Sequence, residues 1–248
     1  MFFIYSLIYI LLLPLLILRD LLTLDKNKLK TIQQKLGFNI SNVENQTIWL
    51  HGVSLGEIKI LSPLAKKLSN QGQNILITST TNTGLEELNK NFSNSDIKIL
   101  PFPYDLEFAH KKIIINFKVN KIILFESEFW PNLLNAAKNL NVVSLNSTIS
   151  DTSFKRFKML KVFSKTLFNK IDLFLAQSKI TIDRLEFFEV KNIKHIGNIK
   201  INPENYSVDQ NRRNHYQKIL GTEKLNVILG SSHAVSYTHL TLPTNRCV

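Results

Sequence analysis

This sequence predicts an α/β fold built on a parallel sheet, and three observations carry the prediction. Short apolar runs rich in Ile, Leu and Val recur along the chain, separated by segments of helical length. The runs are near-continuous rather than alternating, the pattern of strands covered by helices on both faces. Polar and charged residues collect just after those runs, at His51, Ser54, Glu57, Thr78 to Thr83, Tyr104, Asp105, Glu126, Glu128, Asn146, Ser147 and Gln177. In open parallel sheets ligands bind beyond the carboxyl ends of the strands.

The elements follow in order. Met1 to Leu18 carries no charge, and Arg19, Lys26, Lys28, Lys30 and Lys35 come after it. Residues 1–20 are expected to form a hydrophobic membrane-anchor helix, kinked at Pro14, that spans or lies in the bilayer. The basic residues after it place the rest of the chain on the cytoplasmic side. No basic residue precedes the apolar run and no small-residue cleavage site follows it, which argues against a secretory signal. Residues 21–38 predict an amphipathic helix with Leu22, Leu29, Ile32 and Leu36 near one stripe and Gly37 closing it.

The α/β domain is expected over residues 45–205. Strands are predicted at 48–51, 74–78, 97–100, 121–125, 142–145, 173–176 and 194–196. Helices are predicted at 57–69, 85–91, 106–117, 131–140, 154–169 and 180–188, with a turn at Thr81-Asn-Thr-Gly84. Pro63 falls early enough in its helix to be tolerated. Residues 198–208 read as a linker. A second α/β domain begins near 210, where Leu220-Gly221 ends a helix and Val227-Ile-Leu-Gly230 starts a strand.

Composition narrows the chemistry. The formal charge of +12 suits an anionic membrane or substrate, and apolar content of 44% is enough for a core. The single Cys, at 247, excludes an intramolecular disulfide. No GxxxxGK[ST], GxGxxG or HExxH pattern and no Cys cluster occurs, so neither a P-loop, a dinucleotide fingerprint nor a protein-ligated zinc centre is indicated, and no G-x-S-x-G nucleophile elbow is expected. Net charge alone is a weak case for nucleic acid, and none is expected as a partner.

Glu57, after Ser54 and Gly56 at a helix start, is either a capping-box carboxylate or a general base. Glu126 and Glu128 follow a buried strand and point the same way if extended, which suits a polar substrate; the alternative is capping of the next helix. His51 either holds the loop or touches substrate. The hydroxyls of Thr78, Thr80, Thr81 and Thr83 could receive phosphate or sugar oxygens.

Several stretches, in order, resemble the 3-deoxy-D-manno-octulosonic acid (Kdo) transferases of Gram-negative lipopolysaccharide synthesis. They are Trp49-Leu-His-Gly-Val-Ser-Leu-Gly-Glu57, Thr78-Ser-Thr-Thr-Asn-Thr-Gly84, Leu100-Pro-Phe-Pro-Tyr-Asp-Leu106, Glu126-Ser-Glu-Phe-Trp-Pro-Asn132, Asn146-Ser-Thr-Ile-Ser150, Ala176-Gln-Ser178 and Gly197-Asn-Ile-Lys200. The resemblance implies a GT-B glycosyltransferase whose first Rossmann-like, acceptor-side domain is followed here by only the start of the second. It implies inverting transfer of Kdo from CMP-Kdo to the 6'-hydroxyl of the lipid A precursor (lipid IVA), with no cofactor and no metal. The location it implies is the cytoplasmic face of the inner membrane.

By that resemblance Glu57 is the catalytic base. His51, Ser54, Gly56, Thr81, Thr83, Tyr104, Glu126, Glu128 and Asn146 lie on the acceptor side. Ser231, Ser232 and His233 match the start of a donor-side segment in residues 210–233. Beyond His233 the family's Glu-Gly-Glu is replaced, and Ser236 to Asn245 resembles translated adapter sequence. Residues 234–248 are therefore expected to be a non-native tail and the chain as it stands to be inactive. The alternatives are a related membrane-associated transferase with another donor or acceptor, and a non-enzymatic membrane-anchored binding module.

Overall fold

The computed structural model describes residues 1–23, 27–201 and 209–221. Met1–Ile201 forms one compact unit and Asn202–Val248 a second. In the first, helix α1 (Phe2–Thr23) and helix α2 (Lys28–Lys35) precede strand β1 (Thr47–Gly52). There follow α3 (Leu55–Asn70), β2 (Asn74–Ser79), α4 (Asn82–Asn91), β3 (Lys98–Pro101), α5 (Glu107–Asn116) and β4 (Val119–Phe125). The unit continues with α6 (Pro131–Ala136), β5 (Asn141–Ser147), α7 (Asp151–Met159), α8 (Lys161–Phe168), β6 (Leu173–Ala176), α9 (Lys179–Glu186) and β7 (Ile193–His195). In the second unit, α10 (Gln210–Leu220) ends at Gly221, as the Leu-Gly pair predicts. The expected strand at 227–230, the donor-side Ser231, Ser232 and His233, and the tail 234–248 lie outside the described residues.

The seven strands pair in parallel in the order β3-β2-β1-β4-β5-β6-β7. The chain winds outward from β1 to β3 and then, from β4, in the opposite direction. The switch point lies between β1 and β4, where His51 sits opposite Leu124.

Alternation along each strand divides the core in two. Trp49, Leu76, Ile122, Leu124, Val142 and Phe174 join one cluster with Ile113 of α5, Leu133 of α6, Phe168 of α8 and Leu185 of α9. Ile48, Leu50, Ile75, Ile77 and Phe125 join the other with Ile58, Leu61 and Ala65 of α3 and Leu88 of α4. Phe168 centres a set of edge-to-face aromatic pairs with Phe129, Phe157, Phe174 and Phe188.

Three expectations are corrected. Residues 21–38 do not form one helix: Leu21 to Thr23 continue α1, and α2 covers Lys28–Lys35 only. It closes in a Schellman motif, with Gly37 N–H on Gln34 O and Phe38 N–H on Gln33 O, and Gly37 at φ +75. Leu22 and Leu29 are exposed, so the anticipated stripe is broken. The helix expected at 154–169 is two, parted at Leu160 (φ −114, ψ 43), where Phe157 O accepts from Leu160 N–H (3.2 Å) and from the Ser164 hydroxyl (2.9 Å). Pro63 sits further into α3 than its first turns, but it is tolerated as expected, and the helix continues through it to Asn70.

Helix α1 packs along the domain. Tyr9, Leu13, Leu16 and Ile17 meet Leu36, Tyr104, Leu106 and Ala109. The same face carries its polar groups. The Tyr5 hydroxyl donates to Asp105 Oδ2 (2.9 Å) and the Ser6 hydroxyl to Asn132 Oδ1 (2.6 Å). Buried Asp20 accepts from Lys35 Nζ (2.6 Å) and the Tyr104 hydroxyl (2.8 Å). Asp105 also accepts from Asn132 N–H, Leu133 N–H and His110 Nε2, so the residue that holds Tyr5 caps α6 as well. Phe3, Leu7, Leu11, Leu15, Leu18 and Leu22, on the opposite face of α1, are exposed.

Candidate active site at the switch point of the sheet

Strand β1 delivers its last residues to a tight turn and the start of α3. Ser54 is the N-cap and Glu57 the third helical residue. The Ser54 hydroxyl donates to Glu57 Oε1 (2.8 Å), and Val53 N–H donates to Oε2 (2.8 Å). The Glu57 N–H in turn donates to Ser54 Oγ at 3.4 Å. This is a capping box with the carboxylate reaching one residue further back than usual. The cap and the base are thus not exclusive: each carboxylate oxygen has one donor and keeps lone-pair capacity for another. Gly52 permits the close approach, since a Cβ there would lie 2.8 Å from Leu61 Cδ1 and 3.3 Å from Glu57 Cβ. Gly56, by contrast, is exposed and open around its Cα.

The Val53 carbonyl accepts from Ser79 Oγ (2.8 Å) and Thr81 Oγ1 (3.0 Å). Ser79 and Thr81 therefore fix the same residue, Val53, whose N–H holds Glu57. Thr81 to Gly84, expected as a free turn, is the cap and first turn of α4, with Gly84 N–H on Thr81 Oγ1. Thr81 and Thr83 line a cavity of about 370 Å³ with Arg19, Asp20, Thr23 and Lys35, at the end of α1.

Glu126 and Glu128 do not act as an extended pair. Glu126 adopts φ +59, which sends the two side chains to different partners. Glu126 Oε1 meets Lys200 Nζ (2.5 Å) and Asn146 Nδ2 (3.3 Å). Asn146, itself at φ +56 in an irregular stretch of β5, accepts from Ile199 N–H (3.1 Å) and ties the 198–200 segment to the strand ends.

Glu128 Oε2 accepts from Trp130 Nε1 (2.8 Å) and lies 3.8 Å from His51 Nε2. The His51 ring is fully buried and stacked on Phe102, centroids 3.7 Å apart. Its Nδ1 is 3.0 Å from Thr78 Oγ1, which also accepts from Trp49 Nε1 (2.9 Å). Nδ1 also lies 3.3 Å from the Thr78 carbonyl oxygen, which can only accept, and the Thr78 hydroxyl donates to Leu50 O (3.4 Å), so Nδ1 carries the ring proton and the Nε2 lone pair faces Glu128. Nε2 has no hydrogen-bond partner, a cost of about 1–3 kcal/mol for a buried polar atom. His51 is therefore closed off from solvent, with the partly exposed Glu128 beside its Nε2.

Tyr104 is placed away from this cluster. It is buried against α1, and burial, then its bond to Asp20, push its hydroxyl pKa upward. Asp20 itself is held below the usual carboxylate range: burial would raise it, but hydrogen bonds from Lys35, Arg19 and Tyr104 outweigh that.

One expectation from the sequence is corrected and one feature went unread: the G-x-S-x-G spacing, expected to be absent, is present. Gly52-Val-Ser-Leu-Gly56 has the G-x-S-x-G spacing of a nucleophile elbow. In the structure Ser54 is an ordinary extended N-cap whose hydroxyl is held by Glu57, and His51 is turned to Thr78 and Glu128, so no nucleophile–base pair forms. The docking face of α1 was also missed, although Tyr5, Tyr9, Leu13, Leu16 and Asp20 fall at helical spacing on one side. Among the described residues no three His, Cys, Asp or Glu side chains converge as metal ligands.

A doubly wound parallel sheet with carboxylates gathered at its switch point defines a Rossmann-like domain, a fold class in which ligands bind beyond the strand ends. Residues 30–202 match the family described as 3-deoxy-D-manno-octulosonic-acid transferase (kdotransferase), and the chain belongs to that family. A bifunctional glycosyltransferase/methyltransferase of Fusobacterium nucleatum is 34% identical, over 84% of this chain and 34% of that protein. A 3-deoxy-D-manno-octulosonic acid transferase of Chlamydia pneumoniae is 28% identical, over 82% of this chain and 49% of that protein. The chain therefore spans only a third to a half of these curated relatives. A solved glycosyltransferase structure from Rickettsia africae overlaps with TM-score 0.48 and 16% identity, over 73% of this chain and 51% of that one, too loosely to carry an assignment.

Proposed function

We propose that this chain is the acceptor-side part of an inverting glycosyltransferase that moves Kdo from CMP-Kdo to the 6'-hydroxyl of the lipid A precursor. The observation that carries the reading is Glu57: a half-exposed carboxylate, fixed at both oxygens, on the turn after β1 in a chain of this family. Glu57 takes the proton of the acceptor hydroxyl as that oxygen bonds to the anomeric carbon of Kdo. The bond from that carbon to the CMP phosphate oxygen breaks, CMP leaves with the electron pair, and the configuration inverts. No metal or cofactor enters this step. Glu126, Glu128 and Asn146 order the acceptor side of the cleft, and His51 does so through Glu128.

The acceptor is a lipid, and α1 provides for it. One face of the helix is fastened to the domain by Tyr5, Ser6 and Asp20, and the other is apolar and exposed. A helix held lengthwise by polar contacts lies in the interface rather than crossing the bilayer, at the cytoplasmic face of the inner membrane.

The test uses the full-length protein with CMP-Kdo and lipid IVA, read by mass spectrometry. Addition of Kdo is expected. Transfer of a different sugar would move the substrate assignment, and no transfer from any nucleotide sugar would leave only a binding module.

A further inference from the structure

The break between α7 and α8 exposes an apolar knuckle. Met159 is 84% exposed, Leu160 53% and Val162 75%. Phe187, also partly exposed, lies beside them under Lys158 (5.4 Å to the ring centroid) and Lys161 (4.6 Å). From residue 155 to 170 every charged residue is basic: Lys155, Arg156, Lys158, Lys161, Lys165 and Lys170. The first four of these are exposed. Exposed large apolar side chains flanked by cations, with no acid in the segment, are the pattern of a surface that enters the headgroup layer of an anionic bilayer. The knuckle also adjoins the N-terminal start of α1. Phe163, next to Val162, packs on Phe2 with centroids 5.0 Å apart, and Lys170 lies 4.9 Å over the same ring.

We propose that the α7–α8 knuckle is a second, independent bilayer contact that binds anionic lipid, so that the domain is seated at two points. This rests on the membrane reading of α1 given above. Two seats fix the tilt of the domain, where a single helix would leave it free to rock about its axis. The lysines draw the knuckle to anionic headgroups, and Met159, Leu160 and Val162 then enter the acyl boundary.

The experiment is flotation of the 248-residue chain with phosphatidylcholine vesicles, with and without phosphatidylglycerol. The wild-type chain should bind both and prefer the anionic vesicles. K158E/K161E should lose about tenfold or more of its binding to anionic vesicles, taking on the order of 1 kcal/mol per basic residue at such a surface, and should bind neutral ones as wild type does. M159S/V162S should bind both more weakly. Equal binding by wild type and K158E/K161E, with α1 intact, would overturn the knuckle while leaving the α1 reading standing. No binding by the wild type would overturn both. A shift of the variants from dimer to monomer with no change in flotation would show that the knuckle joins two copies instead. As a check independent of folding differences, Val162→Cys in a Cys247→Ser background, carrying an environment-sensitive dye, should blue-shift on anionic vesicles. An unchanged spectrum in vesicle-bound protein would refute insertion.

Discussion

Asp20→Ala should undock the first helix. Asp20 and Lys35 form an ion pair at 2.6 Å with side chains only 4% and 6% exposed. Removing one member of such a pair leaves the other charge buried and costs about 3–5 kcal/mol. Tyr104 loses its acceptor as well, a loss that overlaps with the first rather than adding to it. Arg19 adds little, because its side chain is 59% exposed and its pair with Asp20 is solvent-screened. A protein of this size loses roughly 2–4 °C of Tm per kcal/mol, so the fall should be on the order of 10 °C. Amides of α1 and α2 should lose protection from hydrogen exchange before the sheet does. The triple variant Asp20→Leu, Lys35→Met, Tyr104→Phe, which removes the three buried members and leaves only exposed Arg19, should recover most of the loss.

The same group sets a pH dependence. Its folded pKa is depressed, so its contribution is complete above the unfolded value of about 3.9, shrinks as pH falls below it and is lost once the lower folded pKa is passed. Differential scanning fluorimetry across that window, compared with Asp20→Asn, reads the difference directly. A penalty below about 1 kcal/mol for Asp20→Ala, by the scale of exposed pairs, would refute the claim that this buried pair fastens the helix.

Other substitutions test the frame around Glu57. Gly52→Ala would press a methyl against Leu61 and Glu57 and should cost about 1–3 kcal/mol by chemical denaturation while lowering transfer by the full-length enzyme. Ser54→Ala removes the N-cap and one donor to Glu57; about 1 kcal/mol of stability should go, and Ser54→Thr should restore most of it. Phe168→Ala empties the centre of the aromatic cluster and should cost about 3–5 kcal/mol, with no direct effect on the site.

The sheet was legible because its strands are short apolar runs, so all seven were readable to within a residue or two. The start of β4 was placed late, since Val119 and Ile122 are parted by the polar Asn120 and Lys121. Caps were legible where a small polar residue precedes an apolar pattern, as at Ser54. Contacts between residues far apart in sequence were not. Nothing near Tyr104 announces Asp20, and nothing near Glu126 announces Lys200. The split of Glu126 from Glu128 turns on one positive φ, to which a carboxylate pair at i and i+2 gives no clue. In α1, uniform hydropathy hid a docking face made by a few hydroxyls and one carboxylate.

The most direct test of the account is Glu57→Gln in the full-length enzyme, assayed for single-turnover Kdo transfer with lipid IVA binding measured alongside. Glutamine keeps the shape: its one carbonyl oxygen can still accept from Val53 N–H and its amide N–H can donate to Ser54 Oγ, but it cannot take a proton. The rate should fall by about 100- to 10,000-fold with acceptor binding retained. A variant that transfers at close to the wild-type rate would show that Glu57 caps α3 and does nothing more.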